Sequence, residues 1–214
     1  MFLPDSIQDL TISTLVVFAA LGILSVVTVA VATFKILQFR RMGVGHHKVA
    51  DDILNDWLNG RPNEAQRKAA QDRSVQSRVL GAVMSGLRAR PGDQEYGEEL
   101  GRQIALFELT EMGSRMRMLE AVVQGAPMLG LLGTVIGMIS AFGNLALSQE
   151  MADPRLLAAG IWTALTTTAL GLAIALVAYF LANWLEGRIE DERLTIEIAI
   201  SAAIHGRVGG TQGP

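Results

Sequence analysis

The residues best placed to do chemistry in this sequence are hydroxyls set among glycines. Thr163, Thr166, Thr167 and Thr168 cluster in one apolar stretch, followed by Gly171. Thr163, Thr167, Gly171 and Ala175 fall at four-residue spacing, which is one stripe of a helix. In another apolar stretch Gly133, Gly137 and Ala141 repeat every four residues, with Gly130 one turn earlier and Thr134 beside them. Small residues at that spacing let helix backbones touch inside a membrane, so Gly130, Gly133, Gly137, Ala141 and Gly171 are candidate packing positions. Pro127 has no backbone donor and is a candidate kink. Hydroxyls donate and accept, so Thr134, Thr163, Thr167 and Thr168 suit an ion pathway. For any single threonine a bond to its own i−4 carbonyl is the competing reading. The cluster, rather than any one residue, favours a polar face turned toward a pore or a partner helix.

Other chemistry has few residues to work with. Cysteine is absent, and the three histidines, His46, His47 and His205, lie outside the apolar stretches. No phosphate loop, metal-ligand spacing or nucleophile motif occurs, so no catalytic residue, metal or cofactor is expected and the chain does not read as an enzyme. A net charge of −3 gives no reason to expect nucleic acid as a partner. No Asp, Glu, Lys, Arg or His lies within the long apolar blocks, although such groups are the usual mark of proton relays. If the chain conducts ions, a partner must supply the titrating group.

Three blocks position these residues: Leu10 to Phe34, Ala121 to Gln149, and Leu156 to Leu185. Roughly 20 predominantly apolar residues cross the hydrocarbon core as a helix, so the fold class is an all-α membrane protein with three transmembrane helices. The first block is too long, and its leader too acidic (Asp5, Asp9), for a cleaved signal peptide. It reads as a lipid-facing anchor. Residues 35–120 carry fourteen Lys and Arg, whereas the segment before the first block has none. The positive-inside rule then gives residues 1–9 outside, 10–34 as the first span and 35–120 as a cytoplasmic helical segment. The second span follows at 121–147, a periplasmic loop at 148–155, the third span at 156–185, and a cytoplasmic extension and tail at 186–214. Thr134 lies 13 residues into the second block, which at ~1.5 Å per residue is near mid-membrane. Thr168 reaches a similar depth from the other side. Lys35, Arg40 and Arg41 are placed to meet anionic lipid head groups.

Between the first two spans, Val49, Ile53, Leu54, Trp57 and Leu58, then Val75, Val79, Val83 and Leu87, recur at helical spacing. Turns at Asn59-Gly60-Arg61-Pro62 and Arg90-Pro91-Gly92-Asp93 divide the segment. From about Gln94 the pattern runs on through Leu100, Ile104, Phe107 and Met118, predicting one unbroken helix that continues into the second span. The third span is expected to continue to about Ile204, so the second and third helices both extend into the cytoplasm.

The segment Ala126-Pro127-Met128-Leu129-Gly130-Leu131-Leu132-Gly133-Thr134-Val135-Ile136-Gly137-Met138 resembles the second-helix signature of the MotA/TolQ/ExbB proton-channel family. The segment Gly160-Ile161-Trp162-Thr163-Ala164-Leu165-Thr166-Thr167-Thr168-Ala169-Leu170-Gly171-Leu172 resembles its third-helix signature. The likeness is closest to the ExbB and TolQ branch. It implies a homo-oligomeric ring, commonly a pentamer, in the bacterial inner membrane. The second and third helices would line a pore holding an ExbD- or TolR-like single-span partner whose aspartate carries protons. Motion would pass to a TonB- or TolA-like periplasmic transducer. Thr134 and Thr168 fall where the family keeps pore-facing threonines. Thr163 stands where many ExbB proteins have a glutamate, and residues 173–178 lack a proline common there. A TolQ-like role in envelope maintenance and a non-conducting membrane scaffold are the alternatives. A flagellar stator fits less well because that branch has a fourth span.

Overall fold

The structure, a computed structural model, describes residues 4–45, 47–147 and 154–206. The expected loop at 148–155 lies outside the described residues except for its last two positions, as do residues 1–3 and 207–214 of the two ends. Seven helices follow one another: α1 (Pro4–Arg41), α2 (His47–Leu58), α3 (Pro62–Gln71), α4 (Val75–Ala89), α5 (Gln94–Gly113), α6 (Met116–Leu147) and α7 (Pro154–His205). Among the described residues there is no strand. Three stretches are long and apolar enough to cross a membrane: Thr14–Arg41, Gln94–Ala146 and Leu157–His205. The chain forms two compact units, Met1–Thr33 with Arg115–Asn183, and Phe34–Ser114 with Trp184–Pro214.

The first unit is apolar. Val17 and Leu21 of α1 are buried in one cluster with Val122 and Ala126 of α6 and Ala175 and Ala178 of α7. The first span is therefore not a purely lipid-facing anchor. One face packs on its own chain, while Leu15, Val16, Ile23 and Val26 on the other face stay exposed. Leu, Val and Ile suit a lipid tail and a neighbouring helix equally, so composition could not distinguish the two.

The second unit is polar and its helices start where capping chemistry dictates. Pro62 occupies the first turn of α3, where a missing donor costs nothing. Ser74 caps α4, its hydroxyl accepting from the Ser77 amide at 3.3 Å, and Asp93 caps α5 by accepting from the Tyr96 amide at 3.0 Å. The two predicted turns fall between α2 and α3 and between α4 and α5. α4 lies close on α5: a Cβ on Gly86 would sit 2.7 Å from the Gly97 Cα, and one on Gly101 would strike Val83. Ile53, Val75, Val79, Leu80, Val83, Met84 and Met112 are fully buried.

Several polar groups are buried with partners in this unit, as burial requires. Asp56 takes Lys68 at 2.5 Å and Arg61 at 3.1 Å, and the hydrogen bond from Lys68 holds its carboxyl below the usual aspartate range. Burial pushes Asp72 upward, but hydroxyls of Ser74 and Ser77 at 2.5 and 2.6 Å, with backbone amides, outweigh it and bring it down. Glu108 behaves oppositely: burial raises it, and Arg78 at 2.7 Å offsets only part of that. The Trp57 indole donates to the Ala203 carbonyl at 2.9 Å, capping the last turn of α7.

The helix that was expected to run unbroken from about Gln94 into the second span is interrupted. α5 ends at Gly113, a turn covers Ser114 and Arg115, and α6 starts at Met116. Arg115 has φ of 64°, which no helix continues through. The extension of α7 is continuous to His205.

Candidate functional site

The site is built on the α6–α7 pair, and glycine sets how closely the two helices approach. A Cβ added at Gly130 would lie 2.9 Å from the Thr167 carbonyl oxygen and the Thr168 Cα. At Gly133 it would lie 2.5 Å from the Thr167 hydroxyl, and at Gly137 2.9 Å from the Ala164 Cβ. From the other side, a Cβ at Gly171 would meet the Ala126 carbonyl oxygen at 2.5 Å, and one at Gly160 the Ala141 Cβ at 2.6 Å. All five packing positions named from the sequence, Gly130, Gly133, Gly137, Ala141 and Gly171, lie along this contact. The stripe facing them on α7 is Gly160, Ala164, Thr167 and Gly171, which shares Thr167 and Gly171 with the Thr163–Ala175 stripe and departs from it at the N-terminal end. Gly160 and Ala164 were not singled out beforehand, although their four-residue spacing was a visible signal. α6 remains helical through Pro127.

The threonines separate by what their hydroxyls do. Thr163 donates to the Ala159 carbonyl at 3.0 Å and Thr166 to that of Trp162 at 2.8 Å, the ordinary habit of a helical threonine. Thr134 donates to the Leu131 carbonyl at 2.6 Å and is partly exposed. Thr167 is fully buried, and its single hydroxyl proton has two acceptors in reach, the Ala164 carbonyl at 2.6 Å on its own helix and the Gly130 carbonyl at 3.2 Å across the pair. That geometry makes it a link between helices.

Thr168 differs from all of these. Among the described residues, its Oγ1 is the one buried side-chain oxygen or nitrogen with no hydrogen-bond partner. The i−4 carbonyl it would normally use belongs to Ala164, which already takes the Thr167 hydroxyl. An unsatisfied buried hydroxyl costs about 1–3 kcal/mol. The sequence placed Thr167 and Thr168 in one class, and the structure separates them by hydrogen bonding, the Thr167 hydroxyl partnered and the buried Thr168 oxygen not.

Around the pair, Met128, Leu131, Val135 and Ile139 of α6 and Trp162, Leu165 and Leu176 of α7 are exposed on the single chain. Among the described residues no group of three or more histidines, cysteines or carboxylates is arranged to hold a metal.

Comparison with known proteins agrees with this architecture. Residues 71–198 match the MotA/TolQ/ExbB proton channel family. The chain is 33% identical to a biopolymer transport protein ExbB homolog of Methanothermobacter thermautotrophicus over 84% of this chain and 62% of that protein. It is 32% identical to the biopolymer transport protein ExbB of Aquifex aeolicus over 45% of this chain and 61% of that protein. The matched stretches thus span less than two thirds of either relative. The family is one of channels rather than enzymes, and the three long apolar helices make this a multi-pass membrane protein. With three fifths of its length inside the family match and two signature helices packed glycine to glycine, the chain belongs to the MotA/TolQ/ExbB proton channel family as an ExbB-like member.

Proposed function

We propose that the chain is the ring-forming subunit of a proton-driven motor complex in the bacterial inner membrane. An ExbD-like single-span partner occupies the pore, and a TonB-like periplasmic transducer carries the motion toward outer-membrane transport. In this reading residues 1–9 and 148–155 face the periplasm and 35–120 and 186–214 the cytoplasm, which the excess of Lys and Arg in residues 35–120 supports. The subunits form a homo-oligomer, a pentamer in this reading, whose neighbours and lipids cover the exposed apolar faces of α6 and α7.

The reading is supported by two hydroxyls on the α6–α7 pair: Thr134 is partly exposed, and Thr168 Oγ1, covered within the single chain, has no partner there and reaches a partner's acid through a change of its χ1 rotamer. A hydroxyl donates to a carboxylate and accepts from a carboxylic acid, so it serves a partner's acid in both protonation states. Thr134, one α6 turn from Gly130, supplies a second oxygen with acceptor capacity left. The chain contributes no ionisable group within its apolar blocks, which fits a device whose acid resides in the partner. Moving one elementary charge through the membrane potential releases about 2.3 kcal/mol per 100 mV. A few protons per step are enough to turn a loosely held dimer.

The test is co-expression with a single-span partner bearing an intramembrane aspartate, in an energised bacterium, with energy-dependent function as the readout. Thr168→Val and Thr134→Val are expected to assemble and lose most of the activity. Thr167→Val is expected instead to weaken the α6–α7 pair by about 0.6–1.7 kcal/mol, the range for an interhelical bond in a membrane. Assembly and full activity in both Thr168→Val and Thr134→Val would make those threonines packing residues and overturn the site assignment.

A further inference from the structure

α5 stops at Gly113 with no proline nearby, and the chain passes Ser114 and Arg115 before α6 begins. Arg115 is the only described non-glycine residue with positive φ. A side chain there crowds its own backbone, so something must hold the conformation in place.

That something comes from α1. Lys35 is fully buried, and its Nζ donates to the Met112 carbonyl at 2.7 Å and to Gln38 Oε1 at 3.0 Å. The Nζ also lies 5.8 Å from the centre of the Phe39 ring. Gln38 Nε2 in turn donates to the Glu111 carbonyl at 3.3 Å, which also accepts from the Ser114 amide at 3.1 Å. In an uninterrupted helix the Glu111 and Met112 carbonyls would accept from the amides of Arg115 and Met116. The last carbonyls of a helix carry the negative end of its dipole, so an ammonium is a matched cap. Packing alone would not select a lysine here, because a methionine fills similar space without burying a charge.

We propose that Lys35, assisted by Gln38, is the positioning residue that ends α5 and maintains the Ser114–Arg115 break. The start of α6 is then decided by a side chain 77 residues away from Met112 in sequence, not by the local residues. α6 is the helix that carries Pro127, the glycine ladder and Thr134, so the cap acts on the element that bears the site. This inference does not depend on what passes through the pore.

The experiment is amide hydrogen exchange on the full chain in lipid nanodiscs, read on peptides covering residues 110–120. Lys35→Met is expected to let the helix run on, raising protection of the amides of residues 114–117 by about tenfold. Lys35→Arg keeps the cap and the wild-type pattern. Adding Arg115→Gly to Lys35→Met is expected to restore the break, because glycine favours positive φ and disfavours helix. A general packing defect would not be rescued in that way. Unchanged or faster exchange at 114–117 in Lys35→Met, with protection elsewhere intact, would overturn the proposal. Should Lys35→Met fail to fold, Gln38→Leu decides. Raised protection of the same amides supports the cap, and no change overturns it.

Discussion

Gly171→Ala adds one methyl group to α7 and tests the α6–α7 contact directly. The new Cβ would sit 2.5 Å from the Ala126 carbonyl oxygen and 3.1 Å from the Gly130 Cα. Both obstacles are backbone, so no side chain can turn aside. Real Cβ contacts essentially never fall under 3.0 Å, so the helices must separate by at least about 0.5 Å, the difference between 3.0 and 2.5 Å. Overpacking of this kind costs about 1–3 kcal/mol. Alanine returns about 0.8–1.0 kcal/mol through better helix propensity. The steric cost exceeds the propensity gain, and the separation also loosens the contacts at Gly130 and Gly133. Gly125→Ala and Gly187→Ala are the controls, since a Cβ at either meets nothing within 4 Å. They gain the propensity with no steric cost, so the two classes of variant should differ by about 2 kcal/mol. For a chain of this size that corresponds to about 4–8 °C in Tm, measured in nanodiscs. If Gly171→Ala moves Tm in the same direction and by the same amount as the controls, the backbones of α6 and α7 do not touch there and the argument fails.

Three further outcomes are expected from the polar unit. Asp56, held low by Lys68, adds stability above the ordinary aspartate pKa of about 3.9. That stability is lost as pH falls through the lowered folded value, and thermal melts between pH 2 and 6 should show a smaller acid-side loss for Lys68→Met than for wild type. Glu108 has the opposite sign: its raised folded pKa adds stability below about 4.3 that disappears as pH rises through the folded value. Melts of Glu108→Gln against wild type should therefore show wild type losing ground as pH climbs from about 4.3, and no such crossing would refute the assignment. Trp57→Phe removes the donor to the Ala203 carbonyl and should cost about 0.5–1.5 kcal/mol, seen as faster amide exchange in the last turn of α7.

The three spans, two of the turns that divide the polar segment, at Asn59–Pro62 and Arg90–Asp93, and the long extension of α7 were legible in the residues, whereas the break between α3 and α4 was not. Each legible feature rests on a local signal: a charge-free block, a Gly-Pro turn, or an apolar period carried past the membrane edge. The break at Ser114–Arg115 was not legible in the same way. Gly113 is a weak stop signal by itself, and the partner that makes it effective is Lys35, which read only as a cation near lipid head groups. The buried face of α1 was hidden for a different reason. Val17 and Leu21 carry no mark that separates a helix neighbour from a lipid tail, because in a membrane both offer the same apolar surface.

Thr167 and Thr168 show the limit most sharply. Both are threonines in one run of three, with the same propensity and nearly the same membrane depth, so any argument from composition or depth treats them alike. A step of one residue turns the side chain by about 100° around the helix, and that rotation decides everything about the hydroxyl. It points Thr167 onto Gly133 and within reach of the Gly130 carbonyl, where the missing glycine side chain leaves room for it. The Thr167 hydroxyl also lies 2.6 Å from the Ala164 carbonyl, the i−4 acceptor that Thr168 would ordinarily use, and the Thr168 hydroxyl has no partner. Thr167 thus sits against Gly133 with two carbonyls in reach, and Thr168, one step around the same helix, is bonded to none.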